Sequence, residues 1–284
     1  MIYQIEHTNT FTYESPVDQS LNHVRLKPRT DVCQKLLSYR TEISPMSMSK
    51  EYTDLWGNHV ETFFIPEQHQ TLSVSTTSKV SVQRSPFIRK VEHSPEMRDI
   101  FRSALFRQHY LAFLNETPYT YMEQGQVDAI MAEVGETDNP VRLALTLMDY
   151  IHTTFAYEKE ATDVHTKANE AFGMKRGVCQ DFAHVMIGVL RSQGVPARYV
   201  SGYLYIGEDS GFVGDAATHA WVEVMIPGIG WVGLDPTNKV EALSSHIRVG
   251  TGRDYADVSP LQGVYRGGRH KLDVKVAVKV LEKL

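Results

Sequence analysis

Cys179, His219 and Asp235 are the residues of this 284-residue chain whose types and order could carry covalent chemistry. The segment RGVCQDFAH, residues 176 to 184, sets one of the chain's two cysteines directly after Gly177. It also stands at the head of a helical pattern in which Phe182, Val185, Met186, Val189 and Leu190 recur on one face. A thiol in the first turn of a helix meets the positive end of the peptide dipoles and backbone N–H groups that have no partner inside the helix. Such groups favour a thiolate, and they could hold the oxyanion formed when it attacks a carbonyl. Gly177 would let a substrate or a neighbouring backbone approach closely. A cysteine on an apolar helix is otherwise a small buried hydrophobe, so the chemical reading needs a base.

The stretch THAWVEV, residues 218 to 224, supplies one. Strand alternation puts His219, Trp221 and Glu223 on one face and Ala220, Val222 and Val224 on the other. The next strand, in GWVGLDPTN, ends at Leu234 and Asp235, where Pro236 stops the ladder. A short hairpin at Pro227 to Gly230 would make the two strands antiparallel neighbours. A carboxylate at 235 can then fix an imidazole at 219 whose other nitrogen faces the thiol. Around this set, Gln180 is a candidate oxyanion donor through its side chain or its backbone N–H, and Tyr203 and Trp221 are candidates for the cleft wall. For Trp221 the sheet core is the favoured reading, and Tyr203 is equally suited to a half-buried strand position. Asp181 and His184 lie near Cys179, but a structural zinc site wants two close pairs of Cys or His ligands, so no metal is expected. Asp181 reads as a first-turn carboxylate, His184 as a packed or hydrogen-bonded side chain, and Cys33 as incidental.

The elements that must position these residues divide near residue 90. Before it the period is two: Tyr3, Ile5, His7, Phe11 and Tyr13 share a face, as do Leu72, Val74, Val80 and Val82, with further strands at Leu37 to Ile43 and Val60 to Ile65. Residues 1–88 therefore read as an antiparallel β-sandwich. After it come helices capped by Ser94 and Asn139, then the helix of Cys179, which stops at Gly194. Strands follow at Arg198 to Tyr205, His219 to Ile226 and Trp231 to Leu234, and the tail from Leu272 to Val280 alternates again. Residues 89–284 read as one α+β core that includes this C-terminal strand.

The three core motifs resemble the transglutaminase-like superfamily: GVCQDFAHVMIGVLRSQGVPARYVSGYL, THAWVEV and GWVGLDPTN. The opening HTNTFTYESPVDQSLNHVRLKPR, with DLWGN and FFIP, is similar to the β domain that precedes this core in bacterial members, and the closing GRDYADVSPLQGVYRGG matches the same subgroup. The resemblance implies a papain-like core with Cys179 as nucleophile, His219 as base and acid, and Asp235 as the group that orients His219. It implies acyl transfer from an amide through a thioester, resolved by water in a peptidase or amidase and by an amine in a transglutaminase; the sequence does not choose between them. Substrates would be peptides, proteins or small amides. Bacterial relatives also point to association with an ATP-dependent amide ligase. The alternative is an inert interaction module on the same fold.

Composition limits the remaining classes. A net charge of -5 without a run of Lys and Arg argues against nucleic acid and anionic membranes as partners. No apolar stretch reaches the length of a membrane span. The start MIYQIEHTNT lacks the basic and apolar segments of a secretory signal, so a cytoplasmic location with free thiols is expected. No EF-hand-like loop occurs, and no cofactor is expected. The oligomeric state stays open.

Overall fold

Alternation makes the first eighty residues extended. The computed structural model describes residues 1–92, 94–135, 137–207 and 218–283. It begins with six strands: β1 (Ile2–Val17), β2 (Ser20–Val24), β3 (Gln34–Ser44), β4 (Ser49–Thr53), β5 (His59–Ile65) and β6 (His69–Val82). Along β1 the residues Tyr3, Ile5, His7, Asn9, Phe11 and Tyr13 are all buried, the inward half of a two-residue period. Then come α1 (Pro95–Arg102), α2 (Ala104–His109), α3 (Gln124–Val134), α4 (Pro140–Thr154), β7 (Ala156–Tyr157), α5 (Ala168–Met174), β8 (Arg176–Gly177) and α6 (Cys179–Ser192). The Ser94 hydroxyl accepts from the Met97 N–H at 3.2 Å, and Asn139 Oδ1 accepts from Val141 and Arg142 at 3.0 and 3.1 Å. Each cap is followed by a proline whose missing N–H costs nothing in the first turn. The chain closes with β9 (Ala197–Leu204), β10 (Thr218–Ile226), β11 (Gly230–Asp235), β12 (Val240–Glu241), β13 (His246–Gly252), α7 (Tyr255–Val258), β14 (Leu261–Tyr265) and β15 (His270–Glu282).

Two four-stranded antiparallel sheets, β15-β1-β6-β3 and β14-β2-β5-β4, form a sandwich. Its core interleaves Phe11, Tyr13, Leu72 and Val74 of one sheet with Val24, Phe63 and Ile65 of the other. A five-stranded sheet, β12-β11-β10-β9-β13, carries α6 on one face, where Ala183, Val185, Met186 and Val189 pack with Ala220, Val222 and Val224. Among the described residues, no helix is long and apolar enough to cross a membrane.

The C-terminal strand corrects one expectation. The sequence assigns it to the α+β core, but β15 pairs along β1, from Gln4 opposite Lys279 to Tyr13 opposite His270, and β14 pairs along β2. Alternation fixes which side chains turn inward and leaves the partner strand open. Here Val276, Val278 and Val280 pack against a cluster of Tyr3, Ile5, Val80, Tyr203 and Ile247. That cluster also welds the sandwich to the five-stranded sheet, so both ends of the chain build the support beneath β9 and β10.

Candidate active site

Cys179 opens α6, behind Val178 in extended conformation. The Asp181 carboxylate reaches back to accept the Val178 N–H at 2.8 Å and also takes the Thr162 hydroxyl at 2.6 Å. The closeness of this cap explains Gly177, since a Cβ there would lie 2.8 Å from Asp181 Cγ. In-helix bonding begins with the Asp181 and Phe182 N–H groups on the Val178 carbonyl. The N–H groups of Cys179 and Gln180 stand ahead of it, where a developing negative charge could use them. Cys179 is half-buried, while every residue from Gln180 to Arg191 is buried. Burial raises the pKa of Asp181, partly offset by its hydrogen bonds from Thr162 and the backbone.

His219 sits near the start of β10, opposite Gly202 of β9. Its Nε2 lies 2.8 Å from Asp235 Oδ2, with both side chains fully buried. Asp235 ends β11, and the turn after it aims donors back at the carboxylate: the N–H groups of Thr237 and Asn238 on Oδ1 at 2.9 and 3.3 Å, and the Asn238 amide on Oδ2 at 2.8 Å. With Nε2 taken, Nδ1 of His219 is the nitrogen left for the thiol; it is buried and makes no aligned hydrogen bond among the described residues. Burial alone would lower the pKa of His219, but the Asp235 carboxylate and the neighbouring Cys179 sulfur overturn that and push it up to about 10. Burial works in the opposite direction on Asp235, yet His219, followed by His246, holds its carboxyl far below the usual range.

His246 is the residue that the sequence reading missed. It comes from β13, opposite Leu204 of β9, and its Nε2 lies 3.1 Å from the same Oδ2 that holds His219. Both imidazoles must carry their proton on Nε2 to meet a shared acceptor. Burial lowers the pKa of His246 despite the bond to Asp235, which suits a neutral donor. The one available signal was the alternation of Ile247 and Val249 after a histidine in SHIRVGTG. The ligand atoms of His219, Asp235 and His246 lie within 4.8 Å of one another. Two of those contacts are imidazole–carboxylate hydrogen bonds.

The remaining sequence candidates fall elsewhere. Trp221, 1% exposed, lies flat across the sheet over two glycines: a Cβ at Gly202 would be 2.6 Å from its Cη2 and one at Gly233 3.3 Å from its Nε1. It therefore backs His219 from within the sheet, with ring centroids 6.2 Å apart at 26°, and on its other side lines a cavity of about 350 Å³ together with Cys33, Glu223 and Arg248. Tyr203 is buried between the sandwich and the sheet, its hydroxyl 2.9 Å from His7 Nδ1, so the cleft role expected of it is withdrawn. The Gln180 side-chain amide donates to the Val164 carbonyl at 3.1 Å, which leaves its backbone N–H as the freer oxyanion donor. His184 accepts the Tyr255 N–H at 3.2 Å between the rings of Tyr119 and Tyr199, and burial lowers its pKa to about 3.

Comparison with known proteins follows the same division of the chain. Residues 128–236, which contain Cys179, His219 and Asp235, match the transglutaminase-like superfamily, and residues 3–81 match the bacterial transglutaminase-like N-terminal region. An uncharacterized protein of Mycobacterium leprae is 34% identical over 280 residues, covering 98% of this chain and 97% of that protein. One from Mycobacterium tuberculosis is 31% identical over 300 residues, covering 98% and 92%. A protein-glutamine gamma-glutamyltransferase of Pseudomonas aeruginosa is 32% identical over 148 residues, which are 48% of this chain and 22% of that one. The crystal structure of a candidate cysteine protease from Cytophaga hutchinsonii covers all of this chain and 91% of its own at a TM-score of 0.79 and 23% identity, a likeness of fold.

Proposed function

Because the chain belongs to the transglutaminase-like superfamily, with the bacterial N-terminal region ahead of its core, we propose that it is a thiol enzyme acting on amides, with Cys179, His219 and Asp235 as its catalytic set. The observation that carries this reading is the buried His219–Asp235 pair, at 2.8 Å, beside a half-buried thiol on a helix N-terminus. The Cys179 thiol gives its proton to His219, and the sulfur attacks the amide carbonyl, forming a C–S bond while the carbonyl π electrons move to oxygen, facing the N–H groups of Cys179 and Gln180. Collapse of that intermediate breaks the C–N bond, and His219 gives its proton to the departing amine, leaving a thioester. Asp235 keeps the ring oriented and, with His246, keeps its own charge. Water or a second amine then attacks the thioester with His219 as base, which separates an amidase or peptidase from a transglutaminase. The substrate is a peptide, a protein or a small amide.

The test is alkylation by iodoacetamide from about pH 5 to about pH 9, followed by peptide mass mapping of wild type and His219→Ala. Cys179 should react roughly tenfold or more faster than Cys33, which lacks the helix terminus and the imidazole, and His219→Ala should remove that advantage. Equal rates at the two cysteines, or indifference of Cys179 to His219, would turn the reading toward a binding module on the same fold.

A further inference from the structure

Strand β15 is an edge of the sheet β15-β1-β6-β3, and among the described residues nothing pairs with its outer side. It is long for an edge, with 13 residues. Its hydrogen-bonding parity follows from its register. Gln4 to Tyr13 lie opposite Lys279 to His270 without a break, and one step further the Glu14 N–H donates to the Arg269 carbonyl at 3.0 Å. Across the other side of β1, Met1 and Val82 exchange bonds, which gives the same parity. Bonded and non-bonded pairs alternate in an antiparallel ladder. Odd-numbered residues of β15 therefore bond to β1, and even-numbered ones, Leu272 to Val280, turn their N–H and C=O groups to the open edge.

We propose that β15 pairs with β15 of a second copy of this chain, antiparallel about a two-fold axis at Val276, to join the two sheets into one. The backbone allows any symmetric register that sets even residues against even, and charge selects among them. Centred on Lys275, the register would set Lys275 against itself and Lys271 against Lys279; centred on Ala277, it would set Lys275 against Lys279. Centres nearer either end shorten the ladder. Centred on Val276, Asp273 meets Lys279 on the outer face, twice by symmetry, and from Leu272 to Val280, ahead of the irregularity at Leu281, no like charges are opposed. On the inner face Leu272 and Val274, each 46% exposed, come opposite the second copy's Val280 and Val278. Lysines on an edge strand ordinarily keep a second chain away. In this register Asp273 gives Lys279 a counter-charge, and Lys275 opposes only Ala277.

Sedimentation equilibrium of the full chain, from about 1 to about 200 µM, tests this. A concentration-dependent dimer is expected. Asp273→Lys or Lys279→Asp alone should weaken it about tenfold or more, and the two together should restore it. Val274→Pro removes an outward N–H without taking a bond from β1 and should abolish the dimer, with circular dichroism and Cys179 alkylation unchanged as evidence that the fold is intact. A monomer at the highest concentration would overturn the proposal, as would a dimer that withstands both charge reversals and Val274→Pro.

Discussion

The proton on His219 links the chemistry of the site to the stability of the fold. Its pKa is about 10 in the folded chain against 6.5 for a free side chain, so the folded state holds this proton more tightly than the unfolded one. Such a group stabilises fully below about pH 6.5, and the benefit is lost as pH rises through about 10. Asp235 has the opposite sign: its contribution is intact above the ordinary value of 3.8 and fades only as pH falls below it. Between about pH 6.5 and about pH 10 His219 sets the slope, since the buried His184 and His246, whose pKa values are lowered, act below that window. The unfolding free energy from urea titrations should decline between pH 6.5 and pH 10 by on the order of 2–4 kcal/mol, and His219→Gln should flatten most of that decline. An equal decline in the variant would assign it to other groups. The sequence could name Cys179, His219 and Asp235 because each is announced by its own short segment: a glycine and a helix start, an alternating strand, and a proline stop. His246 has no such announcement. Its role exists only because β13 lies beside β9, a pairing that no local pattern encodes.

At the scale of elements, the entry to α6 is the sensitive joint. The Val178 N–H would be an orphan donor at the helix start without the Asp181 carboxylate, and that carboxylate fits only because residue 177 has no side chain. Gly177→Ala should push Asp181 off the cap, cost about 1–3 kcal/mol in urea unfolding, and slow Cys179 alkylation several-fold by tilting the first turn. Gly173→Ala in α5 is the control, because a Cβ there meets nothing within 4 Å. It should be neutral or stabilise by roughly 0.5–1 kcal/mol. If both variants behave alike, close approach is not the reason for the glycine at 177. The ends of the helices were legible in Ser94, Asn139 and Gly194, whose chemistry acts within a few residues. The short strands β2, β12 and β14 were not, because their partners are far along the chain and their own patterns are brief.

Across the whole molecule, the sandwich and the five-stranded sheet share a charge network that begins on β10, the strand of His219. Glu223, fully buried two residues beyond Trp221, accepts Arg198 Nε at 2.7 Å and is also paired with Arg248. Arg248 in turn reaches Asp31 of the sandwich at 3.0 Å. The exchange of β15 into the first sheet and this bridge from β13 explain why a boundary near residue 88 describes the sequence better than the mechanics: the chain changes period there, but the load is carried across it. Burial raises the pKa of Glu223, but Arg248 and Arg198 outweigh it and leave the carboxyl below its ordinary value. Its contribution is therefore present above about pH 4.5 and lost as pH falls through the folded value. Glu223→Gln would leave the buried Arg198 guanidinium without its counter-charge and Arg248 with Asp31 alone, and should cost about 3–5 kcal/mol at pH 7 by urea titration. Asp31→Asn, at the partly exposed end of the chain of charges, should cost roughly 1 kcal/mol or less. The gap between wild type and Glu223→Gln should narrow as pH falls below about 4.5 toward the lowest pH at which the fold persists, as the wild-type carboxylate protonates. A gap that stays constant down to that pH would mean that the variant acts through packing around Trp221 and not through charge.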